Sequence, residues 1–123
     1  MNANQLLNEA LALPGAYANT PFYRPEPICA RIGKRVFAEV YPSRNWVTLR
    51  SEPQDVLCWR QQYPAVGRGY YCPPNHQPYA FTVTLDGSVP EVVLRLMLRC
   101  SYEHSLRTLP KAEREKAVSA RWK

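Results

Sequence analysis

Residues 28–50 read ICARIGKRVFAEVYPSRNWVTLR, and this stretch decides the fold class. Ile28, Ala30 and Ile32 alternate with Cys29 and Arg31, which is the two-residue period of a half-buried strand. Gly33-Lys34 is a tight turn. Val36, Ala38 and Val40 then alternate with Phe37, Glu39 and Tyr41. Pro42-Ser43-Arg44-Asn45 is a second turn, and Trp46 to Arg50 is rich in β-formers. Three short strands joined by short turns make an antiparallel meander, because parallel neighbours need a long crossover.

The flanks add helices. Asn2 to Leu13 carries Leu6, Leu7, Ala10, Leu11 and Leu13 at helical spacing, and Pro14-Gly15 stops it. Ala16 to Pro27 holds three prolines and reads as a loop with extended pieces. Ser51-Glu52-Pro53-Gln54 has the form of a capping box with proline in the first turn, opening a helix to about Gln62. Residues 64–78 are irregular and Pro-rich, with Arg68–Cys72 the best candidate for a strand there. Tyr79 to Leu85 alternates clearly as a strand, and Asp86-Gly87 turns it. Ser88-Val89-Pro90-Glu91 reads as a second capping box. The helix it opens runs to about Leu109, with Val93, Leu96, Met97, Cys100 and His104 as its apolar face. Residues 111–123 are charged and read as a tail or short helix beyond a single domain of residues 1–110. The order is α-β-β-β-α-β-β-α. Strands that cluster locally indicate an α+β fold, an antiparallel sheet with flanking helices.

Length and charge narrow the function. At 123 residues one core is sufficient without a disulfide or metal staple. The apolar run Val92–Leu98 is broken by Arg95, so no membrane span is expected, and the first residues lack the pattern of a secretory signal. A cytoplasmic location is the resulting expectation. The formal net charge is +6, and 12 of the 16 basic residues are arginine, whose planar fork suits phosphate. Cys29, Cys58, Cys72 and Cys100 contain no CxxC pair, so zinc and redox motifs are not indicated, and mostly buried, reduced thiols are expected.

Catalytic signals are sparse. GxSxG, P-loop, GxGxxG and HExxH motifs are all missing from the sequence. His104 falls on the apolar side of a helix, as a satisfied structural histidine would. His76 shares a Pro-rich loop with Cys72, but no third residue is placed to orient a Cys–His pair. A non-enzymatic protein, with no cofactor and no metal, is expected.

The basic residues carry more. Arg31, Lys34 and Arg35 surround the first turn, Arg44 lies in the second, and Arg50 ends the third strand. A cationic hairpin tip has the shape of a DNA-contacting wing, although charges at a turn also simply keep an edge solvated. Arg68 with Tyr70, Tyr71 and Tyr79 makes an aromatic loop that either stacks on bases or packs onto the sheet.

Scattered motifs now add up. Leu13-Pro14-Gly15, Pro21-Phe22, Gly33-Lys34-Arg35-Val36-Phe37-Ala38, Leu49 with Pro53, and Tyr63-Pro64-Ala65-Val66 occur in order. Gly69-Tyr70, residues 83–90, Ser101-Tyr102 and Leu109-Pro110 follow them. Together, over residues 5–115, they resemble the MmcQ/YjbR family of small bacterial proteins. The resemblance implies a fold like secretion-chaperone domains and double-wing DNA-binding domains, with no established enzymatic activity. One departure stands out. The family's usual His-x-Asn-Lys-x-His-Trp block after Gly-Tyr is replaced here by a loop about three residues longer, without its Lys and Trp. Only Tyr70 matches at that place.

The leading functional expectation is binding of double-stranded DNA through Arg31, Lys34, Arg35, Arg44, Arg50, Arg68, Tyr70 and Tyr71. The alternatives are a chaperone-like module that takes a protein or peptide partner, and a small-ligand site at the Tyr70–Tyr79 loop. A monomer or homodimer fits either.

Overall fold

The structure, a computed structural model, describes residues 1–119. Its elements are α1 (Ala3–Leu11), β1 (Tyr17–Asn19), β2 (Ile28–Ile32), β3 (Arg35–Tyr41), β4 (Trp46–Arg50), α2 (Pro53–Gln62), β5 (Val66–Arg68), β6 (Ala80–Thr84), α3 (Glu91–Arg107) and α4 (Lys111–Ser119). The expected α+β order is present, with an added edge strand, β1, and of the two readings for the charged C-terminal segment the structure has the short helix, α4. The last four residues of the expected tail, 120–123, lie outside the described residues. No helix among the described residues is long and apolar enough to cross a membrane.

The six strands form one antiparallel sheet in the order β1-β2-β3-β4-β6-β5. Ala38 pairs with Leu49, Leu49 with Phe81, Val40 with Val47, and Val47 with Val83. These residues therefore share one face, and all are buried. The helices α1 and α3 pack on that face, and Trp59 of α2 reaches Phe81 at 5.2 Å between ring centres. The opposite face carries Cys29, Glu39, Thr48 and Thr82 by the same registers. Residues 21–27 and the start of the 69–79 loop, Tyr70 and Tyr71, lie over it rather than a helix layer.

Simple alternation fails once, at Phe37. Ala30 pairs with Ala38, but Arg31 pairs with Val36, so Phe37 is an extra residue in β3. This is a β-bulge. It moves Phe37 from its expected place beside Glu39 and Tyr41 into the helix-side core, edge-on to Tyr102 at 5.3 Å. Ser101 of α3, fully buried, serves the disrupted backbone. Its hydroxyl donates to the Phe37 carbonyl and accepts from the Arg50 amide at 2.8 Å.

Both expected capping boxes are absent. The helix α2 starts at Pro53 with Glu52 as N-cap, and the Ser51 hydroxyl goes to the Asp55 carboxylate at 3.3 Å. Before α3, Pro90 takes the cap position, which leaves Ser88 too early, and Asp86 captures it at 2.9 and 2.6 Å. The capping box that does form is at α1, where Asn2 and Gln5 exchange backbone–side-chain bonds of 2.8 and 2.9 Å. The strand expected at Arg68–Cys72 is Val66–Arg68 instead, because Thr82 takes the Tyr70 amide and turns the chain off the sheet. The buried face of α3 is Leu94, Met97, Leu98, Ser101, Tyr102 and Ser105, whereas the expected Leu96 is exposed. The four thiols are free, but only Cys29 is buried, Cys58 being exposed and Cys72 and Cys100 half-buried.

Ser101→Ala removes two hydrogen bonds and strands a buried carbonyl and amide, so a loss of about 1–3 kcal/mol of stability is expected. Chemical denaturation reads this as a lower midpoint with an unchanged slope.

Candidate functional site

The meander dictates where the sequence-derived residues go. The turn after β2 lies at one end of the sheet, and the turn after β3 lies at the other. Arg31, Lys34, Arg35 and Arg50 therefore gather at the first end, and Arg44 sits at the second. Several are already engaged. Arg31 donates to Asn19 at 2.9 Å and to the Lys34 carbonyl at 3.3 Å. Lys34 lies 3.5 Å from Glu113 of α4, with both side chains more than half exposed. Arg50 is mostly buried and bonds Glu39 at 3.0 Å and the Val36 carbonyl at 3.2 Å. Arg35 reaches the Thr108 carbonyl at 3.4 Å.

The first turn is also roofed. A side chain on Gly15 would strike the Ala117 carbonyl at 2.1 Å, and one on Gly33 would meet Leu109 at 3.0 Å. Both glycines adopt left-handed φ values, +76° and +58°. The helix α4 thus rests on a floor only glycine leaves open, and the first hairpin does not project freely.

The second end gathers the aromatic residues. Trp46 and Tyr70 stack at 4.6 Å with a 16° interplanar angle. The Arg44 guanidinium lies 5.1 Å from the Trp46 ring centre, and that of Arg68 lies 5.9 Å from Tyr70. A row of guanidinium, ring, ring and guanidinium results. Tyr71 is 74% exposed and tilts against Tyr41 at 6.2 Å. Tyr79 does not join them; it stacks on His104 at 5.7 Å, towards the first end.

A groove of about 890 Å³ opens beside this row, on the sheet face without helices. Glu39 and Tyr41 line its floor, Phe22, Tyr23 and Arg24 one wall, and Arg44 and Tyr71 the other parts. Phe22 is 61% exposed and Tyr23 fully exposed. Tyr23 and Tyr71 have left-handed φ values of +56° and +61°. An aromatic residue in that region costs roughly 1–3 kcal/mol, and such strain collects at functional sites.

Electrostatics follow from burial. Desolvation, helped by Glu39, pushes the Tyr41 phenol up to about 12. Desolvation, then Glu39, pushes the Cys29 thiol up to about 11, and Cys72 is raised mainly by burial. Hydrogen bonds from the Ser43 hydroxyl and amide hold the Glu26 carboxyl below its ordinary range. The groove therefore holds a neutral phenol, Tyr41, beside the ionised Glu26 carboxylate. Among the described residues no group of three or more His, Cys, Asp or Glu is placed to hold a metal.

Residues 11–104 match the family described as YjbR. The chain belongs to the YjbR family. Among solved structures it is similar to the Deinococcus radiodurans protein DR2400, described as a DUF419 domain. That match has 27% identity and a TM-score of 0.84, covering 95% of this chain and 88% of that one. A protein from Pseudomonas syringae shares the fold, at 16% identity and a TM-score of 0.73, covering 85% of this chain and 99% of that one. No curated protein matches the chain significantly.

Sequence reasoning placed Arg44, Arg68, Tyr70 and Tyr71 among the site candidates but passed over Phe22, Tyr23, Arg24 and Trp46. The signal was present in Pro21-Phe22-Tyr23-Arg24-Pro25, two exposed rings and a cation held between prolines.

The raised Cys29 and Tyr41 values give a pH dependence. Each folded group holds its proton more tightly than the unfolded chain, so this stability is complete below pH 9. It falls as pH rises to about 11 for Cys29 and about 12 for Tyr41. Denaturation midpoints measured from pH 8 upward are expected to decline through that window. At pH 8 a thiol reagent should label exposed Cys58 at once and Cys29 only on unfolding.

Proposed function

We propose that this YjbR-family protein is a non-enzymatic nucleic-acid-binding protein that holds an unpaired strand along the helix-free face of its sheet. The observation that carries this is the pair of strained, exposed tyrosines, Tyr23 and Tyr71, lining one groove beside the Arg44–Trp46–Tyr70–Arg68 row. Exposed rings offer stacking surfaces to any base, and Arg24, Arg44 and Arg68 are spaced around them for phosphates. Glu26 keeps spare acceptor capacity beyond its bonds from Ser43, which suits the amino groups of an unpaired base edge.

A duplex bridging both hairpin turns fits less well, since the turns lie at opposite ends and the first is roofed by α4. Peptide capture by strand addition is limited by the sheet rims, because β1 and β5 are only three residues each.

Fluorescence anisotropy of labelled single-stranded and duplex oligonucleotides at 50, 100 and 200 mM salt tests this. Three phosphate contacts on a single strand predict a log–log slope of about −2, or roughly a 20-fold loss of affinity over that range. Tyr71→Ala should weaken binding about 5- to 150-fold, the worth of one stacked base. Tighter binding of the duplex, or none of the single strand at 50 mM salt, overturns the reading.

A further inference from the structure

At the first end of the sheet a second cleft, of about 450 Å³, opens between the start of β3, the end of α3 and the residues before β6. Lys34, Arg35, Arg50, His76, Tyr79 and His104 line it, and among the described residues no carboxylate does. These include both histidines of the chain. The nearby acids act from outside the cleft: Glu39 holds Arg50, Glu113 lies beside Lys34, and Glu52 bonds His104 Nδ1 at 3.1 Å. Among the described residues Arg35 has no carboxylate partner. Its one side-chain bond among them, to the Thr108 carbonyl at 3.4 Å, occupies one of the five N–H groups a guanidinium offers. The His76 ring and the Tyr79 hydroxyl have no side-chain hydrogen-bond partner among the described residues.

We infer that this cleft is a binding site for a phosphate group, free or carried as a monoester on a small molecule. Several donors converge from different elements: a guanidinium fork from β3, an ammonium from the turn, and an imidazole and a phenol from the residues before β6. A planar carboxylate is satisfied by one fork, whereas a tetrahedral dianion can accept from all of these at once. Lys34 can turn to such a ligand because its pairing with Glu113 is solvent-exposed and weak. The cleft volume leaves room for a group attached to the phosphate, within the size range of small-ligand sites. Arg50 forms part of the wall but stays committed to Glu39, so it shapes the cleft rather than contacting the ligand.

This site shares no lining residue with the aromatic groove and stands whether or not a nucleic-acid strand binds there. The test is a titration at pH 7 and constant ionic strength, following the two histidine ring signals by NMR. The probes are inorganic phosphate and phenyl phosphate. Saturable shifts of both histidines are expected. Arg35→Gln should weaken binding about tenfold or more, as loss of a charge-assisted fork does. Arg99→Gln, the same charge change on the exposed face of α3, should leave it within about twofold. His76→Gln, at an exposed loop position, gives an independent variant that the fold does not depend on, read through His104. Phenyl phosphate binding about tenfold tighter than phosphate assigns a monoester, and equal binding assigns the free ion. Shifts that never saturate, or affinity unchanged in both Arg35→Gln and His76→Gln, overturn the proposal.

Discussion

The bulge at Phe37 and the Ser101 hydroxyl that serves it hold the two layers in register. An extra residue in β3 would leave a buried carbonyl without its ladder partner, which costs about 1–3 kcal/mol. Ser101 takes that carbonyl and also receives the Arg50 amide, so one side chain of α3 is tied to β3 and β4 together. Phe37 then reaches the core against Tyr102, whose hydroxyl continues to the Pro14 carbonyl at 2.6 Å and ties the end of α1 to the same helix. These contacts fix the start of β3 and the end of β4, where Arg35 and Arg50 emerge.

On the other face, the Glu39–Arg50 pair occupies the boundary between the groove and the phosphate cleft, Glu39 lining the first and Arg50 the second. Both side chains are largely withdrawn from water, and Arg50 is further fixed by the Val36 carbonyl. A pair in this setting contributes little net stability against an apolar replacement, but removing one partner leaves a costly unpaired charge. Its consequence here is spatial. It neutralises Arg50 between the two openings, while among the described residues Arg35 at one end and Arg44 at the other have no carboxylate partner.

The fold was legible because 28–50 alternates with a period of two and its turns are marked by Gly33 and by Pro42 with Asn45. What alternation could not show was the bulge, since Phe37 is apolar on either face and nothing local marks the extra residue. The helix starts misled for a similar reason. Ser51 and Ser88 have the spacing of caps, yet Pro53 and Pro90 shift each start, and Asp55 and Asp86 take the hydroxyls. The site was half legible. Arg44, Arg68, Tyr70 and Tyr71 could be named from composition, but their union with Trp46 and Tyr23 depends on two Pro-rich loops meeting over the sheet. That is a long-range property that no window of sequence contains. The crowding of Arg31, Lys34 and Arg35 around one turn was visible, whereas the roof that α4 places over it was not.

The loop of residues 69–79 is held down along its length. Gln77 donates to the Gly69 and Cys72 carbonyls at 2.7 and 3.0 Å, and Thr82 holds the Tyr70 amide at 3.1 Å. Gly69 lies so close to β6 that an added Cβ would come within 2.6 Å of Ala80. The Tyr70 and Tyr71 end of the aromatic surface is therefore set in place when the chain folds. A molecule arriving there meets a formed surface, and the entropy of ordering the loop has been spent before the encounter. Association should then be governed by diffusion and orientation, with differences between ligands expressed in how long each one stays.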